Sequence, residues 1–328
     1  MKTICIYHSV DLDGWMSAAI VKHWFLKNER EPKMTGINLE DYPDRNNNIG
    51  ESSNGWNVLD FLGWNYGDDI PDLSGYDKVI MCDISFPKEE MRKLFDSVEL
   101  VWIDHHITAI KDNWAISEET DGLRDAKFAA CELTWMYFFP SLSSESPWSG
   151  MPEIVRLLGR YDCFGHKGQE EEQKVLEFQY GARQCISNYE DAYVYLNAKD
   201  FGAYSVDTIL TKGKSIYSYL CTEAKQVYKN GFEIIFTEIV TPGNAAYKVT
   251  YKFICFNRER FNPINFGVDY HKDGYDGAAC FHYANGMWNF SLYNDNGDID
   301  CSQIAKQFGG GGHKGAAGFR LENIKRIF

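Results

Sequence analysis

Apolar runs and amphipathic stretches alternate through the first half of the chain. In chain order, the strand-like runs and the helical stretches cover residues 2–7, 14–28, 76–85, 86–97, 97–106 and 126–140. This alternation predicts β-α-β units, in which parallel strands form one sheet and helices cover both of its faces. Sheets of this kind bind their ligands at the carboxyl ends of the strands.

The second half of the chain has a different pattern. A long helical stretch at 205–230 precedes strand-like runs at 231–240 and 247–256. The dipeptide Asn285-Gly286 lies between two further alternating runs and is typical of a type I′ hairpin. A last helical stretch then leads into a run of glycines at 309–312.

These patterns predict an α/β protein with two domains. We expect a parallel-sheet catalytic domain over 1–186, a helical linker over 187–230 and a smaller α/β domain over 231–328. The stretch 38–75 is rich in Asn, Gly, Asp and Pro, and it predicts a loop-containing excursion with a short edge strand at 63–68.

Composition narrows the class of protein. The 328 residues carry a net charge of −14, which argues against binding to long duplex nucleic acid, although a local pocket could still hold a short polyanion. The nine cysteines form no C-x-x-C pair, as expected for free thiols in a reducing, cytoplasmic setting. Because no apolar run reaches the length of a membrane span, we expect no membrane association.

Acidic and imidazole side chains follow three of the predicted strands. They are His8, Asp11, Asp13, Asp83, Asp104, His105 and His106. A single aspartate after a strand is often only a helix cap, but two consecutive histidines beside a buried acid rarely help packing. If the strands are neighbours, the carboxylates would repel one another unless divalent cations balance them. Mixed carboxylate and imidazole ligands suit two Mn²⁺ ions, with Mg²⁺, Fe²⁺, Co²⁺ and Zn²⁺ as alternatives.

Five segments in this order resemble the motifs of the DHH phosphoesterase family, which includes RecJ-type exonucleases, nano-RNases and cyclic-dinucleotide phosphodiesterases. The segments are HSVDLDG, MCDIS, IDHH, GRYDCFG and GGGGHKGAAGF. The resemblance covers nearly the whole chain. It implies a metal-binding domain followed by the DHH-associated C-terminal domain, with the active site between them.

The resemblance also implies a role for each residue. One metal would be held by His8, Asp11 and Asp83, and the other by Asp13, Asp83, His105 and Asp162. His106 would face the substrate phosphate, and Asp104 would support the histidines. His8 departs from the family pattern because it precedes Asp11 by three positions, where relatives commonly show two or four.

The C-terminal motif implies a substrate-binding segment. Its members are Gly309, Gly310, Gly311, Gly312, His313 and Lys314. Backbone N–H groups of consecutive glycines can form an anion-binding concavity, whereas the alternative is a flexible hairpin tip. The family often has an arginine on the preceding strand, and Tyr293 stands at that place in this chain.

The predicted function is a metal-dependent phosphodiesterase. It would hydrolyse short oligonucleotides or linear dinucleotides to nucleoside 5′-monophosphates through a hydroxide activated by two metals. Two alternatives with the same site are a cyclic-dinucleotide phosphodiesterase and a 3′-phosphoadenosine phosphatase. A third, of another class, is a catalytically silent relative that binds nucleic acid. The oligomeric state is left open, with a homodimer compatible with the sequence.

Overall fold

The structure is a computed structural model that describes residues 1–28, 58–140, 146–198, 202–240 and 247–327. Much of the predicted loop-containing excursion therefore lies outside the described residues. The chain divides into two compact units, Met1–Ile216 and Tyr217–Phe328. The domain limits expected from the sequence stay a prediction.

The first unit is built on a parallel four-stranded sheet. Its strands are β1 (Lys2–His8), β2 (Val58–Trp64), β3 (Lys78–Cys82) and β4 (Glu99–Ile103), in the order β2-β1-β3-β4. All three strand pairs are parallel, which confirms the predicted fold class. The expected edge strand at 63–68 was misplaced, because the structure has β2 at 58–64 and residues 65–68 form a turn. The apolar residues of β2 alternate with polar and glycine positions too irregularly to predict its limits.

The described residues of this unit form helices α1 to α8 and the first part of α9, which continues into the second unit. They are α1 (Leu12–Asn28), α2 (Lys88–Ser97), α3 (Ile107–Asp112), α4 (Trp114–Ser117), α5 (Ala130–Phe138), α6 (Glu153–Asp162), α7 (Glu172–Cys185), α8 (Tyr189–Asn197) and α9 (Val206–Tyr228). Since α6 ends at Asp162, this aspartate is the last residue of the helix.

Both faces of the sheet are buried under helices, as predicted. Cys5 of β1 packs in one cluster with Val21 of α1 and Leu133 of α5. Ile6, the next residue on β1, packs on the opposite face with Met91 of α2. Successive side chains of a strand point to opposite faces, so this alternation places a core on each side of the sheet.

A glycine lets the first helix begin directly against the first strand. A Cβ atom on Gly14 would lie 1.9 Å from the carbonyl oxygen of His8. No other residue type fits that spacing without moving the strand or the helix. The close approach keeps the side chains at the end of β1 beside those of the first turn of α1.

The described residues of the second unit include a six-stranded sheet and a short helix that packs against it. The elements are β5 (Phe232–Val240), β6 (Tyr247–Asn257), β7 (Gly277–Ala284), β8 (Met287–Tyr293), α10 (Cys301–Lys306), β9 (Gly311–Gly312) and β10 (Ala316–Leu321). The strand order is β5-β6-β7-β8-β10-β9, with β6 and β7 parallel and the other pairs antiparallel. Asn285 and Gly286 have φ angles of 52° and 79°, which confirms the predicted hairpin between β7 and β8.

Two further expectations can be compared with the fold. All nine cysteines are free thiols. None of the helices in the described ranges combines the length and the apolar character that crossing a membrane requires.

Candidate metal centre

The carboxyl edge of the first sheet brings the predicted metal ligands together. Ligand atoms from three groups of side chains lie within 4.8 Å of one another in each group. The groups are His8, Asp11 and Asp83; Asp13, His105 and Asp162; and Asp83, His105 and His106. The residues come from the ends of β1, β3 and β4, from the start of α1 and from the end of α6.

The first group joins the end of β1 to the end of β3. His8 Nδ1 lies 3.0 Å from Asp11 Oδ2 and 3.5 Å from Asp83 Oδ2. The other oxygen of Asp11 accepts a hydrogen bond from the N–H of Gly14 at 3.0 Å. Asp11 therefore caps the first turn of α1 with one oxygen and faces His8 with the other. The three-residue spacing of His8 and Asp11 does not prevent the two side chains from meeting.

The second group is centred on His105. Its Nε2 atom lies 3.6 Å from Asp13 Oδ2 and 3.3 Å from Asp162 Oδ2. His105 Nε2 also lies 3.3 Å from Asp83 Oδ1. One imidazole thus faces three carboxylates, which is the surrounding expected of a cation site.

Asp83 faces both groups, one with each of its oxygens. Its φ angle of 63° lies in the left-handed region, where aspartate is tolerated better than most residues. The backbone N–H of Asp83 donates to Ile103 O on the neighbouring strand at 2.9 Å. This hydrogen bond holds the unusual turn at the end of β3, and the turn directs the carboxylate toward the histidines.

Asp13 is oriented by the first turn of α5. The backbone N–H groups of Ala130 and Cys131 donate to its two oxygens at 2.9 and 2.7 Å. Unpaired N–H groups at a helix N-terminus carry partial positive charge, so they favour the ionised carboxylate. The sequence did not predict this support, because nothing in the residues at 129–131 marks the end of the helix as a partner for Asp13.

A buried ion pair supports the same end of α5. Glu132 is fully buried and accepts from Arg160 Nε at 2.9 Å and from Arg160 Nη2 at 2.5 Å. Glu132 also accepts from Trp148 Nε1 at 2.8 Å and from the N–H of Ala129 at 3.0 Å. Because Arg160 belongs to the last turn of α6, the pair ties the helix that holds Asp13 to the helix that carries Asp162.

Asp104 contacts one of the two histidines that follow it. Its Oδ1 atom accepts from the backbone N–H of His106 at 3.0 Å and lies 2.8 Å from His106 Nδ1. Trp102 Nε1 donates to its other oxygen at 3.2 Å. Asp104 is fully buried and belongs to none of the groups with metal-ligand spacing. Its contacts hold the His106 ring in one orientation. The supporting role expected for Asp104 stays a prediction.

The pKa values at this edge are displaced in a way that favours bound cations. Burial and the nearby carboxylates of Asp83 and Asp162 raise the pKa of Asp13 well above its usual value. Burial raises the pKa of Asp162 to about 6. Burial alone would lower the pKa of His105, but the nearby carboxylates of Asp83, Asp13 and Asp162 raise it to about 11. A carboxylate cluster of this kind needs added positive charge to stay ionised.

The residues present fit a pair of divalent ions. Asp83 Oδ1 and His8 Nδ1 are buried without a hydrogen bond of acceptable geometry, although charged neighbours lie close by. Orphaned buried polar atoms are costly unless a ligand satisfies them. Carboxylate oxygens mixed with imidazole nitrogens are the donor set of Mn²⁺ and related ions.

The glycine-rich segment of the second unit differs from the expectation for an open anion loop. The N–H of Gly309 donates to Lys306 O at 3.1 Å, and the N–H of Gly310 donates to Ala305 O at 3.0 Å. Both groups complete the end of α10, so neither can bind an anion without breaking a bond of the fold.

The rest of the segment forms an edge of the second sheet. His313 N donates to Ala316 O at 2.8 Å, and Gly312 lies opposite Ala317. Hydrogen-bonded and non-hydrogen-bonded pairs alternate in antiparallel strands, so the N–H of Gly312 points away from β10. The side chains of His313 and Lys314 are exposed. The substrate role of this segment stays a prediction, and fewer of its backbone N–H groups are available to bind an anion than the sequence analysis expected.

Tyr66 also lies at the carboxyl edge of the first sheet, although it belongs to none of the motifs found in the sequence. Its ring centroid lies 6.2 Å from that of His8 and 6.3 Å from that of His106. Tyr66 follows the end of β2, so the fourth parallel strand also delivers a side chain to the carboxyl edge. The correct limits of β2 would have predicted the position of Tyr66, since side chains just past the ends of parallel strands share one edge of the sheet.

No family model matches the chain. The chain is 25% identical over 263 residues to an uncharacterized protein of Acanthamoeba polyphaga mimivirus. The match covers 75% of this chain and 54% of that protein. The chain thus spans about half the length of this curated relative.

Two solved structures resemble nearly the whole chain. An exopolyphosphatase-related protein from Bacteroides fragilis has 12% sequence identity and a TM-score of 0.51, covering 98% of this chain and 87% of that one. A pGpG-specific phosphodiesterase from Vibrio cholerae has 12% identity and a TM-score of 0.48, covering 99% and 96%. At 12% identity, the likeness to the exopolyphosphatase-related protein concerns the fold alone.

Proposed function

We propose that the protein is a metal-dependent phosphodiesterase that hydrolyses short oligonucleotides or linear dinucleotides to nucleoside 5′-monophosphates. One observation carries the proposal: Asp83 lies between two groups of carboxylate and imidazole ligands at the carboxyl edge of a parallel sheet. The complete set of five motif segments in family order supports it, because a silent relative has no need to keep costly acids together at a crevice.

The assignment of the two ion sites follows the grouping of the side chains. His8, Asp11 and Asp83 would hold one ion, and Asp13, His105 and Asp162 would hold the other with Asp83 shared. When bound, two such ions, Mn²⁺ or Mg²⁺, would supply an activated water and Lewis acidity for phosphoester hydrolysis.

The chain's own side chains bind and orient the phosphate. His106 lies at the outer side of the edge, with a quarter of its side chain exposed. Burial would lower its pKa, but the hydrogen bond to Asp104 and the charge of Asp83 raise it. A protonated imidazole beside a phosphoryl oxygen stabilises negative charge that develops during the reaction. Asp104 holds the ring in that orientation.

Short substrates fit the charge of the protein better than long ones. A net charge of −14 opposes the binding of an extended polyanion. A dinucleotide presents one phosphodiester and few other charges, so the ions at the sheet edge and a few cationic side chains would be enough to balance it.

The test is a substrate panel with Mn²⁺ or Mg²⁺ and two variants. The panel contains a linear dinucleotide, a long single strand, a cyclic dinucleotide, 3′-phosphoadenosine 5′-phosphate and pyrophosphate. We expect the dinucleotide to be cleaved fastest. Asp83→Asn should reduce cleavage below detection, and it should also reduce the binding of Mn²⁺, measured by calorimetry, below detection. Asparagine suits this variant because it tolerates the left-handed φ of 63° at this position.

The matched control is Asp72→Asn, an exposed aspartate in a loop of the same unit. It should leave both cleavage and Mn²⁺ binding unchanged. Full activity of Asp83→Asn would contradict the ligand assignment. Fastest turnover of another member of the panel would replace the proposed substrate with that compound.

A further inference from the structure

An exposed aromatic side chain stands at the rim of the candidate metal centre. Tyr66 is 55% exposed and lies beyond the end of β2. Single exposed aromatic residues are common on protein surfaces and need no special explanation. Tyr66 differs from such residues in what it contacts and in how it is held.

The ring of Tyr66 contacts both histidines of the adjacent edge. It meets His8 and His106 edge-on, with centroid distances of 6.2 and 6.3 Å and interplanar angles of 60° and 79°. The buried ring of Trp64 supports it from behind, at a centroid distance of 5.9 Å. Tyr66 as a whole residue keeps 55% of its surface exposed beside these histidines.

Hydrogen bonds fix the turn that carries Tyr66. Asn65 Oδ1 accepts from the N–H and the hydroxyl of Ser9 at 3.2 and 3.1 Å, which ties the turn to the loop after β1. The N–H of Asn65 donates to Asp68 Oδ2 at 2.9 Å, and Trp64 Nε1 donates to Asp69 O at 3.0 Å. The ring is therefore held in place before any ligand arrives, and binding to it costs little ordering entropy.

Other exposed apolar side chains adjoin the same ligands in sequence. Val10, which precedes Asp11, is 60% exposed, and Ile107, which follows His106, is 41% exposed. A rim of this kind suits a substrate with organic groups on both sides of its phosphate. An inorganic polyphosphate offers no apolar surface to such residues.

We propose that Tyr66 is a specificity-determining residue that stacks on a base next to the scissile phosphate. This inference rests on the proposed function and adds to it the residue that distinguishes a nucleotide diester from an inorganic one. Aromatic side chains bind single-stranded nucleotides by stacking, because every base presents a π face. A base on the outer side of His8 and His106 would find the exposed surface of Tyr66 there.

The experiment compares Tyr66→Ala, Tyr66→Phe and the wild type on two matched substrates. One is a linear dinucleotide, and the other is the same diester with one base removed, tested in both isomers. We expect Tyr66→Ala to raise KM for the intact dinucleotide roughly ten- to a hundredfold, with a much smaller change in kcat. Tyr66→Phe keeps the ring and should retain the wild-type KM. For the isomer that lacks the stacked base, wild type and Tyr66→Ala should have the same KM.

Two controls separate this role from a structural one. Tyr204→Ala removes another exposed tyrosine of the same unit, 54% exposed, and should leave KM unchanged. Calorimetric binding of Mn²⁺ to Tyr66→Ala should match the wild type, since the proposed ligands are carboxylates and imidazoles of other residues.

The outcomes distinguish this inference from the proposed function. If the wild type cleaves dinucleotides and Tyr66→Ala has an unchanged KM, the inference is wrong and the function stands. Equal losses on the intact and the abasic substrate, or weaker Mn²⁺ binding, would assign Tyr66 a structural role and also overturn it. Failure of the wild type to cleave any nucleotide diester would overturn the proposed function, and the inference with it.

Discussion

The carboxyl edge of the first sheet and the glycine-rich segment of the second unit both carry predicted binding residues, but they bind with different parts of the chain. At the edge, the binding atoms belong to side chains of Asp and His, and the structure gathers them within a few ångströms. In the glycine-rich segment, the expected donors are backbone N–H groups. Those of Gly309 and Gly310 are used to end a helix.

The difference lies in what each prediction has to assume. A side chain past the end of a parallel strand reaches the common edge whenever the strands are neighbours, so the topology alone brings the ligands together. A backbone N–H group is available to a ligand only if no carbonyl of the fold accepts from it. That condition depends on how α10 ends and on the register of β9 and β10, neither of which the glycines themselves specify.

The largest expected effect tests whether the edge depends on its buried support. Glu132→Gln leaves the guanidinium of Arg160 buried without its counter-charge. Removing one partner of a buried ion pair costs roughly 3–5 kcal/mol, so we expect a loss of this size in the free energy of unfolding, measured by urea denaturation. Since the helix that holds Asp13 loses its anchor, Mn²⁺ binding should weaken as well.

An exposed ion pair of the same unit provides the control. Lys174 and Glu153 have side chains 43% and 45% exposed, and Glu153→Gln should cost less than about 1 kcal/mol. Similar losses for the two variants would show that the buried pair does not hold the edge. A normal affinity for Mn²⁺ in the folded fraction of Glu132→Gln would show that Asp13 keeps its place without it.

A smaller effect is expected from the residue that orients His106. Asp104→Asn keeps the shape of the side chain but removes the charge beside the imidazole Nδ1, 2.8 Å away. Replacing the partner of an active-site histidine typically costs about 10–100-fold in activity or metal affinity. We expect kcat for the dinucleotide to fall within that range while unfolding stays cooperative.

The pH–rate profile separates the two ways in which Asp104 could act. If Asp104 raises the pKa of His106, as its contact indicates, the variant should lose activity at a lower pH than the wild type on the alkaline side. A uniform loss at every pH would mean that Asp104 only positions the ring. An unchanged rate would contradict the support inferred from the structure.

Much of the first unit follows from the sequence because its strands are apolar on both faces. The runs that become β1, β3 and β4 end at the residues where the polar motifs begin, so the limits of the strands and the site were predicted together. Strand β2 follows residues outside the described ranges, and its mixed pattern led to a predicted edge strand at 63–68 instead of 58–64. Tyr66 was therefore not predicted to be a side chain just past the end of a strand. The support of Asp13 by α5 could not be predicted, since it joins residues 117 and 118 positions apart.

The smallest expected effect concerns the exposed cation of the glycine-rich segment. Lys314→Gln removes one charge from a surface where water screens it, and exposed charge pairs contribute about 0.2–1 kcal/mol. We expect KM for the dinucleotide to rise by less than about fivefold and kcat to stay unchanged, with a difference that shrinks at high salt. Lys272→Gln, at a side chain 80% exposed in the same unit, is the matched control and should change neither constant. If the two variants behave alike, the glycine-rich segment only forms the edge of its sheet. Substrate binding would then depend on the side chains at the first sheet. If Lys314→Gln alone raises KM, the outward N–H of Gly312 and the exposed side chains beside it keep the substrate role that the motif implies.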